Sequence, residues 1–176
     1  LDPDMAVPAS SRNPFDAAMC ELVEELRPAV VSFHFGLPAP ELLARVKATG
    51  AKLLSSATTV EEARWLDARG VDAIIAQGAE AGGHRGVFLQ DEVYSQLGTF
   101  ALVPQVVDAV KLPVIAAGGI MDARGIAAAF MLGASAVQLG TAFAVTTECD
   151  ADPAFKRVLA DATPEDMVEF TSVAGL

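Results

Sequence analysis

Apolar residues fall along this chain in two alternating rhythms. Short runs that are apolar almost throughout, such as Val71-Asp72-Ala73-Ile74-Ile75-Ala76 and Pro113-Val114-Ile115-Ala116-Ala117, lie between stretches whose apolar positions recur at helical spacing. Residues 16–26 predict a first helix with Asp16 as its cap, and residues 29–36 a strand closed by Gly36. Helices follow at 40–49, 60–69, 100–110 and 123–132, and strands at 51–58, 71–77, 113–117 and 134–139. Gly50, Gly70 and Gly133 stand where three of these helices stop. Residues 1–14 have no period and read as a loop. Strands that are apolar on both faces, set between amphipathic helices, predict an α/β fold with a covered parallel sheet.

An open doubly wound sheet and a (β/α)8 barrel both fit this alternation. Polar and glycine-rich signals stand at the ends of several successive strands, where a barrel gathers its site. A doubly wound sheet would concentrate them at one switch point. The expectation is therefore a barrel. Five predicted strands in 176 residues fall short of a closed one, which takes eight strands and about 250 residues. The first residue is Leu rather than Met, which fits a chain that begins inside a longer one.

Composition narrows the classes. Hydrophobic residues make up 52% and charged residues 20%, enough apolar surface for a core. The formal net charge of −11 leaves no basic stripe to neutralise phosphates, so no nucleic-acid partner is expected. Charged residues or glycine interrupt every apolar stretch before membrane-span length, so no membrane association is expected. The first residues carry neither a basic nor an apolar leader region. Cys20 and Cys149 have no metal-ligand spacing and read as reduced thiols in a cytoplasmic protein. No metal site is expected.

Chemistry concentrates in two places. Gly118-Gly119 follows one strand, and Gln138, Gly140 and Thr141 follow the next. In barrels the last two strand ends form the common phosphate site, where bare glycine backbone lets N–H groups approach phosphate oxygens. No Walker-type loop and no GxGxxG before a helix is present, so a mononucleotide or sugar phosphate is expected. The second place is Ala76-Gln77-Gly78-Ala79-Glu80-Ala81-Gly82-Gly83-His84-Arg85-Gly86, with four glycines in its last nine residues. Gln77 ends a strand and offers an amide suited to a heteroaromatic ring edge. Gly82 and Gly83 would let a flat ligand lie on bare backbone. His84 stands beside them as a proton-transfer group. Weaker candidates are Ser55, Ser56 and Thr58 at another strand end, with Glu80 and Arg85 read as solvated or paired with each other. His34 is open between facing the site and packing on Phe33 and Phe35. Asp122 reads as a helix cap and Trp65 as outer packing.

The segments AQGAEAGGHRG, ALVPQVVDAV, LPVIAAGGI and RGIAAAFMLGASAVQLGTAF, in this order, resemble the nitronate monooxygenase family, formerly 2-nitropropane dioxygenases. The resemblance runs from about Val30 to Glu148. It implies an FMN-dependent TIM barrel of which this chain is the C-terminal part, residues 1–176 contributing strands four to eight of a single domain. The first three strands would then precede Leu1, and a substrate-lobe segment would begin near 168–176. It implies FMN contacts at Gln77, Gly82 and Gly119, extended to the adjacent Gly83 and Gly118. Gln138, Leu139, Gly140 and Thr141 become the phosphate segment, and His84 the active-site histidine. The implied reaction oxidises an alkyl nitronate or nitroalkane with O2 to a carbonyl compound and nitrite. A small-molecule substrate is thus the expected partner, and a homo-oligomer is compatible with the sequence. Relatives sharing the AGGH core include FMN-dependent NAD(P)H reductases of quinones or enoyl-acyl-carrier-protein, which stand as the alternative. A non-catalytic flavin-binding fragment is the reading from another class. A phosphate-binding barrel of the indole or thiazole biosynthetic type leaves Gln77 and AGGH without a role.

Overall fold

A computed structural model describes residues 14–90 and 96–163. The expected loop at the N-terminus and the expected lobe segment near 168–176 fall almost wholly outside the described residues.

Helices and strands alternate along the chain. They are α1 (Ala17–Leu26), β1 (Val30–Phe33), α2 (Pro40–Ala48), β2 (Lys52–Ala57), α3 (Val60–Asp67), β3 (Ala73–Gln77), α4 (Thr99–Ala109), β4 (Val114–Ala117), α5 (Ala123–Met131), β5 (Ala136–Gln138), α6 (Thr141–Ala144) and α7 (Pro153–Asp161). Local chemistry sets several ends. Asp16 accepts the Met19 amide at the start of α1, and Asp122 accepts those of Arg124 and Gly125 at the start of α5. The strands are shorter than the apolar runs that predict them. At β3 the reason is visible, because the Asp72 carboxylate turns back to accept the Leu53 amide at 2.9 Å. Two helices go beyond the sequence reading. The α7 start carries a readable signal, Asp152 as cap and Pro153 in the first turn.

All strands are parallel, and their spatial order is β1-β2-β3-β4-β5. Each new strand is added beside the last with no reversal, so among the described residues there is no switch point of the doubly wound kind. Right-handed crossovers with that order put the connecting helices α2 to α5 on one face. On that face Leu53, Ile74, Ala76, Val114 and Ala116 pack with Ala63 and Leu66 of α3 and Leu102, Val103 and Val106 of α4, all buried. Strand alternation turns Ser56, Ile75, Gln77 and Ala117 to the other face. Gln77 is level with Ala117, and Ala117 with Gln138. One row of residues therefore ends three successive strands.

Candidate functional site

The loop after β3 carries most of the polar chemistry, and its path is fixed from several sides. Gln77 is buried, and both ends of its amide are used within the loop. Its Oε1 accepts the Gly86 amide at 2.7 Å, and its Nε2 donates to the His84 carbonyl at 3.0 Å. The amide expected to address a ligand thus ties the loop back on its own strand, while each amide atom keeps one further hydrogen-bonding position.

Glu80 and Arg85 correct the sequence reading, because each has its own partner. Glu80 accepts the Thr99 amide at 2.7 Å and the Thr99 hydroxyl at 2.9 Å. Its carboxylate caps α4, whose own cap residue Gly98 has no side chain for the task. Arg85 donates to the carbonyl oxygens of Gln77 and Gly78 and to the Gln96 side chain. Glu62 went unnoticed in the sequence, although Thr59 to Glu62 has capping-box spacing. It is fully buried and accepts from the Thr58 amide and hydroxyl and from the amides of Phe88 and Leu89. A carboxylate at the head of α3 therefore holds the far side of the His84 loop.

With its main chain held in this way, His84 has an exposed side chain whose ring meets the Phe35 ring edge-on at 6.1 Å between centroids. His34 lies beneath. Its Nδ1 is 3.0 Å from the Ser56 hydroxyl and its Nε2 is 3.1 Å from the His84 carbonyl. Partial burial of the His34 ring lowers its proton affinity below the ordinary histidine value, the bond to the His84 carbonyl opposes this, and the His84 and Arg85 charges reinforce it. Among the serines and threonine proposed for this edge, Ser55 donates to the Gly36 carbonyl and Thr58 to Glu62, so only Ser56 faces the histidine pair.

The two chemistry-bearing segments meet. A Cβ added to Gly82 would stand 2.8 Å from the Thr141 hydroxyl. Gly83 and Gly140 have nothing within 4 Å of the same position and face open space. Gly118 and Gly119 both adopt left-handed backbone, at φ +117° and +65°, which brings them against Ala81 and Glu80. Thr141 opens the single turn of α6, in which the Phe143 and Ala144 amides bond the Gly140 carbonyl. The Leu139 side chain packs against the core. Gln138 is exposed at the end of β5. A small cavity between α4 and α5 is lined by Glu80, Thr99, Phe100, Gly118 and Gly119 and does not include His84, Gln77 or Thr141. The cavity and the open glycine edge share Gly118 and Gly119 only through the turn after β4.

The family model for nitronate monooxygenase matches residues 5–175. The chain belongs to the nitronate monooxygenase family. A nitronate monooxygenase of Paraburkholderia phytofirmans is 56% identical over 144 residues, covering 82% of this chain and 39% of that protein. Nitroalkane oxidase from Streptomyces ansochromogenes superposes with a TM-score of 0.77 at 46% identity, covering 82% of this chain and 42% of that one. FabK from Thermotoga maritima does so with a TM-score of 0.76 at 38% identity, covering 89% and 47%. The chain thus spans about two-fifths of the length of the curated relatives it matches. Its unreversed parallel sheet is a segment of a (β/α)8 barrel. Among the described residues no helix is long and apolar enough to cross a membrane.

Proposed function

We propose that this chain forms the FMN-holding and proton-transferring part of an enzyme that oxidises alkyl nitronates and nitroalkanes with O2. The observation that carries the reading is the meeting of Gly82 with Thr141 beside an exposed His84 whose main chain is tied to Gln77. The residues present fit the cofactor. Open space over Gly83 suits a flat ring laid on bare backbone, and Gly140, open in the same way and followed by the Thr141 hydroxyl, suits a phosphate. Gln77, Gly82, Gly83, Gly118 and Gly119 would hold the flavin, and Gln138, Leu139, Gly140 and Thr141 its phosphate.

Bound there, the flavin would take electrons from the substrate and pass them to O2, so that a carbonyl compound and nitrite are released. The chain's own work is positional and protonic. An unprotonated His84 imidazole can take the α-proton of a neutral nitroalkane, and a protonated one attracts the nitronate anion. Buried Gln77 and Glu62 hold the main chain of the loop that carries this ring from two sides. The free thiols of Cys20 and Cys149 suit a reducing, cytoplasmic setting.

A second reading, an FMN-dependent NAD(P)H reductase, draws on the similarity to FabK from Thermotoga maritima. The two separate in one experiment on the flavin-loaded, full-length protein. Anaerobic bleaching of the flavin band by propyl-2-nitronate, with nitrite released on admitting O2, is expected for the first. Steady NADH oxidation without any nitro compound would overturn it in favour of the second. Flavin that is retained but bleached by neither the nitronate nor NADH would overturn both and leave a non-catalytic flavin-binding fragment.

A further inference from the structure

Two strand ends converge on one main-chain oxygen, and the end of the strand between them supports one of the two donors. His34 follows β1, Ser56 lies near the end of β2, and Gln77 ends β3. The Nε2 atoms of His34 and Gln77 lie 3.1 and 3.0 Å from the His84 carbonyl oxygen. A carbonyl oxygen brings no hydrogen, so His34 must carry its proton on Nε2. In the neutral ring Nδ1 is then an acceptor, and the Ser56 hydroxyl at 3.0 Å is its donor. Both lone pairs of the His84 carbonyl are thereby occupied.

The surroundings hold the His34 ring in this pose. A Cβ added to Gly86 would lie 2.8 Å from its Cε1 and 3.1 Å from the Ser56 Cβ, so the returning loop lies flat against the ring. Phe35 covers it edge-on at 4.4 Å between centroids. Phe35 is a non-glycine residue at φ +63°, followed by Gly36 at +86°. Such backbone is costly for an aromatic residue, and here it turns the Phe35 ring toward both imidazoles. Packing alone would need neither hydrogen bond. The loop that carries His84 contains Gly82, Gly83 and Gly86 and has little stiffness of its own.

We infer that His34 is a positioning residue for His84: fixed as its Nε2–H tautomer by Ser56, it shares with Gln77 the task of anchoring the His84 main chain. The inference rests on the proposed role of His84, but the anchor itself can be measured apart from turnover.

The test uses the full-length protein in three forms. His34→Gln can present an amide N–H near the place of Nε2, whereas His34→Leu and His34→Asn cannot. Ring nitrogen NMR with labelled histidine is simple in this region, where the chain holds two histidines; the His34 signals should show a protonated Nε2. Hydrogen exchange of the loop at 78–88 should speed up in His34→Leu and His34→Asn and return toward wild type in His34→Gln. Turnover of a nitronate should drop by roughly tenfold or more in the Leu variant, as expected for a displaced reacting group. KM should stay within about twofold, and Gln should recover most of kcat. If His34→Leu fails to fold, Ser56→Ala serves, with a mixed tautomer signal and faster loop exchange expected. A protonated Nδ1, unchanged loop exchange in the Leu variant, or Gln performing no better than Leu overturns the inference. Wild-type protein that shows the anchor but turns over no nitronate would leave the anchor standing and remove the proposed function instead.

Discussion

The Phe88 amide donates to Oε1 of Glu62 at 2.8 Å, across 26 residues of chain. The same carboxylate receives Leu89 and both the amide and the hydroxyl of Thr58, while its residue is fully buried. Glu62→Gln keeps the shape but sets an NH2 group against some of these donors. The expected loss is about 3 kcal/mol, the scale of stranding buried donors that had bonded a carboxylate. Denaturant unfolding should show it as a lower midpoint. Faster exchange of the Phe88 amide in the native state should accompany it.

Gly118 and Gly140 should respond oppositely to alanine. At Gly118 a Cβ would need φ +117° and would stand 3.0 Å from the Ala81 backbone nitrogen. Gly118→Ala should cost of order 1–3 kcal/mol of stability from backbone strain alone. At Gly140 the backbone is at φ −118° and nothing lies within 4 Å. Gly140→Ala should leave stability within about 0.5 kcal/mol, as for an open surface site, and yet weaken FMN retention. Unfolding curves paired with flavin titrations check both. Full FMN affinity in Gly140→Ala would remove that residue from the phosphate site.

The alternation of elements was legible because parallel strands buried on both faces leave long apolar runs between helical ones. Caps such as Asp16 and Asp122 were legible because their partners lie within three residues. What escaped is what depends on the path of the long β3–α4 loop. Gln77 read as a ligand contact because a strand-ending amide points to the site edge, but its partners His84 and Gly86 are chosen by how the loop returns. Glu80 read as solvated or paired with Arg85 because no local pattern places it on Thr99, 19 residues away. Glu62 showed its capping spacing, but not its reach to Phe88. Glycine placement marked the strand ends that the structure brings together, Gly82 beside Thr141, whereas the side chains that hold the loop left no such mark.

His34 should impart a pH dependence to stability. Its proton affinity is lowered in the folded protein, chiefly by partial burial, with the neighbouring His84 and Arg85 charges acting in the same direction. As pH falls, the unfolded chain therefore takes the proton first. The contribution is fully present above the ordinary histidine value, about 6.5, and is lost as pH falls through the lower folded value. Denaturant unfolding at a series of pH values should show wild type weakening on the acid side of neutrality. His34→Gln should flatten that limb. An equally steep limb in the variant would assign it to other groups.

His84→Ala separates the two tasks assigned to that ring. The side chain is exposed and its main chain is held by Gln77 and His34, so the substitution should leave the loop and the bound flavin unchanged. A neutral nitroalkane must lose its α-proton before oxidation, and loss of a positioned base costs typically 10²–10⁴-fold, so turnover of that substrate should fall by about 100-fold or more. The nitronate has already lost the proton. Its turnover should fall less, with the deficit mainly in KM, because an attractive charge is lost and not a proton-transfer step. Parallel assays with nitroalkane and with its pre-formed nitronate decide the matter. Equal losses on both substrates would show that His84 does not act as the base, and no loss on either would remove it from the site.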